Sequence, residues 1–360
     1  MDAAQAVILA GGQGTRLRPL TSTRPKPVVP FLNRPFLAYQ LTLLRDHGVR
    51  DVILSCSYRV GDVRAALGDG RAFGTRLRYV VEEEPLGTGG GVRNAVDLAG
   101  GTVFVLNGDV LTDADLGAMR RFHDAHGSRT TMYLTPVENP RAYGLVETEP
   151  DGRLRQFREK PGPDDVLTTN MINAGVYLID AALLARIPTD RPVSIEREFF
   201  PAIIAEGIPA FGWHAPAYWR DIGSPAAYLE GQLDLLGGRA RTTLRPPGLA
   251  SGGNTIGDGV SIDGTAAVTP PCVIGAGVTL AAGSRVGPLT VLGGGVVVAR
   301  GARVERSIVW ERAEIGAEAT LDGCVVCADS RIGAGARLAS GTVLESGAVV
   351  APNASLPAAV

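Results

Sequence analysis

The sequence predicts an α/β domain with a mixed sheet over residues 1–236, a linker over 237–254, and a parallel β-helix of hexapeptide repeats over 255–360. Three observations carry that reading. Strand-like apolar runs alternate with amphipathic helical ones as far as Leu236, which argues for a sheet flanked by helices. From Thr130 the runs shorten. Beyond the Gly- and Pro-rich stretch at 237–254, an aliphatic residue recurs at every sixth position.

In chain order, Ala6-Val7-Ile8-Leu9-Ala10 is a buried strand, too brief for a helix. Residues 36–47 have helical spacing, 51–56 form a strand, 61–67 a helix and 77–81 a strand. After Gly87, residues 92–98 read as helical and 102–106 as a strand ending at Asn107-Gly108-Asp109. The shorter strands follow at 132–134, 144–146, 154–157 and 174–179. In the repeat, Ile262, Val268, Ile274, Leu280, Val286, Leu292, Val298 and Val304 keep one register. After Trp310 that register shifts by one and resumes at Ile332, Leu338, Leu344 and Val350. Three hexads make a coil of about 18 residues, so about five coils are expected.

The chain is organised around residues 7–35, VILAGGQGTRLRPLTSTRPKPVVPFLNRP. Three glycines among Gly11-Gly12-Gln13-Gly14 close the first strand and let backbone approach a ligand. Such a turn points successive N–H groups into one concavity, which suits phosphate oxygens. Arg16 follows the turn, and Lys26 stands between Pro25 and Pro27, whose restricted backbones hold it. A surface turn with solvated charges is the plain alternative. The loop is not a dinucleotide fingerprint, because Leu17 stands where its third glycine belongs, and no Walker lysine follows.

With 360 residues, the chain is long enough for two domains. A net charge of −2 excludes a general polyanion binder, so nucleic acid is not an expected partner. The short apolar start without a basic leader is neither signal peptide nor membrane span, so no membrane association is expected. Four irregularly spaced cysteines suit a reduced, cytoplasmic protein. Cys324 and Cys327 fall in the repeat, where a strand puts them on opposite faces, and no second pair completes a metal site. His123 and His126 read as part of a solvated helix face.

In open α/β sheets ligands sit beyond the carboxyl ends of the strands. The glycine turn and Asp109 both fall there. A carboxylate facing a phosphate-binding turn suits Mg²⁺, which takes one or two carboxylates plus substrate phosphates. Asp221, in Tyr218-Trp219-Arg220-Asp221-Ile222-Gly223, is the second candidate. Either aspartate taken alone is more often a turn or cap residue.

The string G-G-x-G-T-R-L-x-P-L-T followed by P-K-P resembles the signature of the sugar-1-phosphate nucleotidylyltransferases, the nucleotide-sugar pyrophosphorylases. The resemblance covers the whole chain. It implies a Rossmann-like nucleotidyltransferase domain followed by a left-handed β-helix. It also implies a reaction between a nucleoside triphosphate and a sugar 1-phosphate, giving a nucleotide sugar and pyrophosphate. By the family's motifs, Arg16, Lys26 and Asp109 are catalytic, and Asp109 with Asp221 holds Mg²⁺. Leu9, Ala10, Gly11, Gly12, Gly14, Thr15, Glu84, Gly87, Thr88, Asn107 and Gly108 match nucleotide-binding positions. Gly144, Glu159 and Lys160 of the E-K-P motif, and Asn173 of N-A-G, match positions that hold the sugar and its phosphate.

Three further strings are similar to the mannose-1-phosphate guanylyltransferase branch: residues 82–88, 172–177 and 194–201. A thymidylyltransferase for glucose 1-phosphate, or an enzyme for an unusual sugar or cyclitol phosphate, shares every catalytic motif. A catalytically silent regulatory subunit is the non-enzyme alternative, and retention of Arg16, Lys26, Asp109 and Asp221 counts against it. Acyl transfer, a chemistry that hexapeptide helices can carry, lacks its base, since no histidine follows His214. The repeat is expected to mediate homo-oligomer formation.

Overall fold

The computed structural model describes residues 5–95 and 101–357. The chain divides into two compact units, one of residues 1–12 and 37–219, the other of 13–36 and 220–360. These units cut across the boundaries expected from the sequence: the signature segment 13–36 belongs to the unit that contains the repeat.

The first unit is built on a nine-stranded mixed sheet. Its strands are β1 (Gln5–Leu9), β2 (Asp51–Cys56), β3 (Arg76–Val81), β4 (Thr102–Asn107), β5 (Thr130–Pro136), β6 (Gly144–Thr148), β7 (Leu154–Glu159), β8 (Met171–Asp180) and β9 (Ala210–His214). The main path runs β7-β6-β8-β4-β1-β2-β3, with β5 beside β8 and β9 beside β5. Strands β1, β2, β3 and β4 are mutually parallel, whereas β8 runs antiparallel to β4. Val7, Ile53, Val103 and Val105 are fully buried, as near-continuous apolar runs in parallel strands require. Helices α1 (Leu37–Asp46), α2 (Val60–Leu67), α3 (Gly87–Ala95) and α4 (Leu116–Ala125) follow the parallel strands.

Three local expectations change. Gly87-Thr88-Gly89-Gly90-Gly91 opens α3 instead of preceding it, while the expected helical residues 96–98 lie outside the described residues. Asn173 stands inside β8, at an irregularity in the pairing with β5 between Asn173 and Tyr177, where Gly175 has φ 71°. His123 is buried, not solvated, and its Nδ1 lies 2.9 Å from Thr131 Oγ1.

In the second unit, the repeat forms three stacked sheets of short parallel strands. Ile274, Leu280, Val286, Leu292, Val298, Val304, Val309, Ile315, Leu321, Val326, Ile332 and Leu338 line its interior. The two six-stranded sheets mark six coils, one more than the spacing suggested. The register does not lapse after Trp310. It contracts by one residue twice, so that Leu292 pairs with Val309 and Val309 with Val326, at intervals of 17 in place of 18. Hexad period and parallel register together are those of a left-handed β-helix. The stretch read as a linker contains the strand Leu249–Ser251, which pairs antiparallel with Asn254–Ile256 at the start of the coil. All four cysteines are free and buried.

Candidate active site

In the first unit the site grows from the ends of adjacent parallel strands. Leu9 is in register with Asn107 on one side and Ser55 on the other. The Gly108 N–H donates to the Leu9 carbonyl at 2.9 Å, so the glycine turn and the Asp109 turn begin side by side. A Cβ on Gly108 would stand 2.4 Å from that carbonyl oxygen, which explains the glycine. Gln40 of α1 donates to the carbonyls of Asn107 and Val110, both at 2.8 Å, and clamps the turn from either end. Asp109 is thus presented half-exposed from a fixed backbone. Gly12 faces open space, with nothing within 4 Å of a Cβ placed there, while Ser57 Oγ donates to the Gly11 carbonyl at 2.5 Å.

The loop from Glu84 to Thr88 is fastened at both ends. Glu82 is buried and accepts from Ser55 Oγ at 2.8 Å and from the Leu86 N–H at 3.2 Å. At the start of α3, the Gly89 N–H donates to the Val193 carbonyl at 2.8 Å, and a Cβ on Gly87 would stand 2.6 Å from the same oxygen. Thr88 Oγ1 accepts from the Ile195 N–H at 2.9 Å and donates to Glu196 at 2.6 Å. Glu84 itself is exposed.

A second group of candidates meets around β6, β7 and β8. Gly144 lies so close to Glu159 that a Cβ would be 2.8 Å from its carboxylate. Asn173 accepts from the Gly175 N–H at 3.0 Å and donates to the Tyr177 hydroxyl at 2.7 Å. Trp219 Nε1 donates to the Ala174 carbonyl at 2.8 Å, and its ring meets Tyr143 edge-on at 5.5 Å. Burial raises the Glu159 carboxyl above its usual range, and the charge of Glu196 adds to the effect. The buried Tyr177 phenol is pushed far up by burial, with Glu196, Glu159 and Asp109 all contributing. The exposed Lys160 lies 3.8 Å from Glu159. Sequence reasoning gave no role to Glu196, although it lies in the quoted string 194–201. Nor did it find Glu82, Gln40 or Tyr177, whose partners are remote in sequence.

The second unit holds the other candidates: Gly14, Thr15, Arg16, Lys26 and Asp221. Gly14 has φ 64°, a conformation that favours glycine, and its carbonyl accepts from Thr21 Oγ1 at 2.7 Å and from the Leu17 N–H at 3.0 Å. Leu17 and Leu20 anchor the segment in apolar surroundings, leaving Thr15 and Arg16 exposed. Lys26 opens a short 3-10 turn, Lys26–Val28, directly behind Pro25. The Asp221 carboxylate folds over Gly223, where a Cβ would stand 2.9 Å from Oδ2, so the I-G pair after Asp221 leaves it room.

The Nucleotidyl transferase family model matches residues 5–237, and the GMPPB C-terminal domain matches 268–360. The chain belongs to the nucleotidyl transferase family. Among its relatives is a mannose-1-phosphate guanylyltransferase of Mycobacterium tuberculosis, 41% identical, over 92% of this chain and 81% of that protein. A mannose-1-phosphate guanylyltransferase catalytic subunit beta of Danio rerio is 40% identical over 74% of each. Among solved structures, HddC from Yersinia pseudotuberculosis covers 64% of this chain and 99% of its own, with a TM-score of 0.56 and 28% identity. A second structure of HddC, complexed with GMP-PN, has a TM-score of 0.54.

Members of this nucleotidyl transferase family generally use a divalent metal. The donors present fit a hard cation. Asn107 Oδ1 is buried and has no hydrogen-bond partner among the described residues, two residues from the Asp109 carboxylate. Both are oxygen donors of the kind a small divalent ion prefers. Among the described residues no group of three or more His, Cys, Asp or Glu could hold a metal. A cation bound through one or two carboxylates and completed by phosphates fits that composition. Among the same residues no helix is long and apolar enough to cross a membrane.

Proposed function

We propose that this chain joins GTP and mannose 1-phosphate to give GDP-mannose and pyrophosphate. The observation that carries the reading is its likeness, over 92% of its length, to a protein named for that reaction, and over 74% of its length to a second. The GMP-PN complex of HddC agrees with a guanine nucleotide. An oxygen of the sugar phosphate attacks the α-phosphorus of the triphosphate. One P–O bond forms, the bond to the β-phosphate breaks, and pyrophosphate leaves with that electron pair. The attacking phosphate is already anionic at neutral pH, so no protein nucleophile is needed, and catalysis rests on positioning and charge stabilisation.

In this reading residues 1–236 form the catalytic domain, 237–254 the linker and 255–360 the repeat domain. The first strand's end and its glycine turn (Leu9, Ala10, Gly11, Gly12, Gly14 and Thr15) receive the triphosphate. Glu84, Gly87, Thr88, Asn107 and Gly108 surround the nucleoside. Arg16 neutralises the leaving phosphates, and Lys26 serves the α-phosphate. Gly144 brings backbone against the sugar, Glu159 and Asn173 bind its hydroxyls, and Lys160 binds its phosphate. Asp109 and Asp221 would hold Mg²⁺, which would supply charge compensation to the phosphates. The protein is proposed to be cytoplasmic and a homo-oligomer.

The test is pyrophosphate release by the purified chain from GTP and mannose 1-phosphate with Mg²⁺. Stoichiometric pyrophosphate and GDP-mannose support the reading. No release with any pair of substrates would make the chain a silent relative.

A further inference from the structure

Residues 13–36, which carry Arg16 and Lys26, share a compact unit with the repeat, and specific bonds hold them there. Pro30–Phe31 pairs with Arg34–Pro35 around a two-residue turn in which Leu32 and Asn33 have φ 45° and 61°. Two such residues in the left-handed region are strained, and neighbours must offset the cost. Here the Leu32 N–H donates to Gln232 Oε1, and Asn33 Nδ2 donates to the Leu292 carbonyl of the coil, each at 2.8 Å.

Upstream, Arg24 is ion-paired with Glu311, and its guanidinium lies 4.9 Å from the centroid of the Trp310 indole. Trp310 Nε1 donates to the Tyr228 hydroxyl at 2.9 Å, and that hydroxyl donates to the Pro30 carbonyl.

Trp310 is out of place for a coil residue. The strand register carries one corner column from Gly257 through Gly275 and Gly293 to Trp310. Where three coils carry a glycine, the fourth carries the largest side chain. The indole is 1% exposed, yet it is not part of the aliphatic interior of the coil. Its burial comes from outside the coil, where Arg24 and Tyr228 cover it. It also directly follows the strand Ile308–Val309, the first strand after the first of the two register contractions.

We propose that Trp310, Arg24 and Glu311 form a positioning device, by which the repeat sets where the signature segment holds Arg16 and Lys26. The inference rests on the reading that those two cations act on the triphosphate. A displacement of about 1 Å in a catalytic group can cost on the order of a hundredfold in rate, so a partly loosened segment has a measurable effect.

The full chain is assayed as Arg24→Gln, Arg24→Lys, Glu311→Gln and Trp310→Phe, with Arg16→Ala alongside. Arg24 and Glu311 are partly exposed, with side chains 29% and 23% accessible, and Trp310→Phe keeps a ring while removing the donor, so folding survives. The expected result is a loss of about tenfold in kcat/KM for GTP with a raised KM for GTP. The KM for mannose 1-phosphate should stay unchanged, and Arg24→Lys should recover part of the loss. A merely structural role would lower kcat with the folded fraction and leave both KM values alone, which would overturn the proposal. Wild-type kinetics in Arg24→Gln and Trp310→Phe, with Arg16→Ala inactive, would overturn the positioning role and leave the proposed reaction standing. Wild-type kinetics in Arg16→Ala would remove the premise, and the proposal would fall with it.

Discussion

The backbone N–H of Gly108 donates to the carbonyl oxygen of Leu9 across 2.9 Å, joining the ends of two parallel strands where the glycine turn and the Asp109 turn begin. A methyl group cannot enter that contact, because a Cβ would meet the Leu9 oxygen at 2.4 Å. Gly108→Ala should therefore part the two strand ends. Turnover is expected to fall by about a hundredfold while the far-ultraviolet circular dichroism stays that of the parent. Full activity in the variant would show that the two turns need not be joined.

Asp109→Ala and Asp221→Ala should each abolish Mg²⁺-dependent turnover without unfolding the chain. Neither carboxylate is a core residue, so thermal midpoints should change little while activity is lost. Titration with Mg²⁺ separates a weakened site, which recovers at high metal, from a residue with no part in it. Wild-type metal dependence in either variant removes that aspartate from the site.

Glu159 makes a prediction about pH. Burial raises its carboxyl above the usual 4.5, helped by Glu196 and opposed by Lys160 and Arg197. Because the folded state then binds this proton more tightly than the unfolded state, ionisation takes stability away as pH rises from the unfolded value through the folded one. Below the unfolded value the group contributes no difference. Glu159→Gln should flatten the pH–stability curve just above pH 4.5, which thermal melts across that range would show. The same variant should raise the KM for the sugar phosphate by about tenfold, the loss of one charge-assisted hydrogen bond. A steeper or unaltered curve would mean that the Glu159 carboxyl is not raised by its burial and by Glu196 as described.

Much of the architecture was legible from periodicity. A period of six survives valine-rich noise because the inward position must stay aliphatic in every coil. A shift of one showed and the second contraction did not, because Val309 and Val326 sit inside runs, Ile308-Val309-Trp310 and Cys324-Val325-Val326-Cys327, in which a shift of one still lands on an apolar side chain. The glycines at 87–91 read as a loop because glycine is a poor helix former. Folded, they open α3, where a Cβ would crowd Val193 at Gly87 and Gly89, Leu86 at Gly90 and Glu82 at Gly91. Motif residues such as Asp109 and Glu159 were legible through the family resemblance, because they stand inside its motifs. Glu196 and Trp310 were not, because what gives them meaning, Thr88 and Glu159 for one and Arg24 and Tyr228 for the other, is remote in sequence.

Gly14 tests the signature turn itself. At φ 64° a Cβ would lie 3.1 Å from the Thr21 methyl and 3.2 Å from Lys26 Cβ. Gly14→Ala should cost about 1–2 kcal/mol from the left-handed backbone alone, read as a lowered denaturant midpoint. It should also lower kcat/KM for GTP more than for mannose 1-phosphate. Equal losses for both substrates would contradict a role in holding the triphosphate.

Crossing GTP, ATP, UTP and dTTP against mannose 1-phosphate and glucose 1-phosphate, with pyrophosphate release as the readout, tests the central claim most directly. GTP with mannose 1-phosphate should give the highest kcat/KM of the set. Turnover confined to dTTP or UTP, or to glucose 1-phosphate, would contradict it.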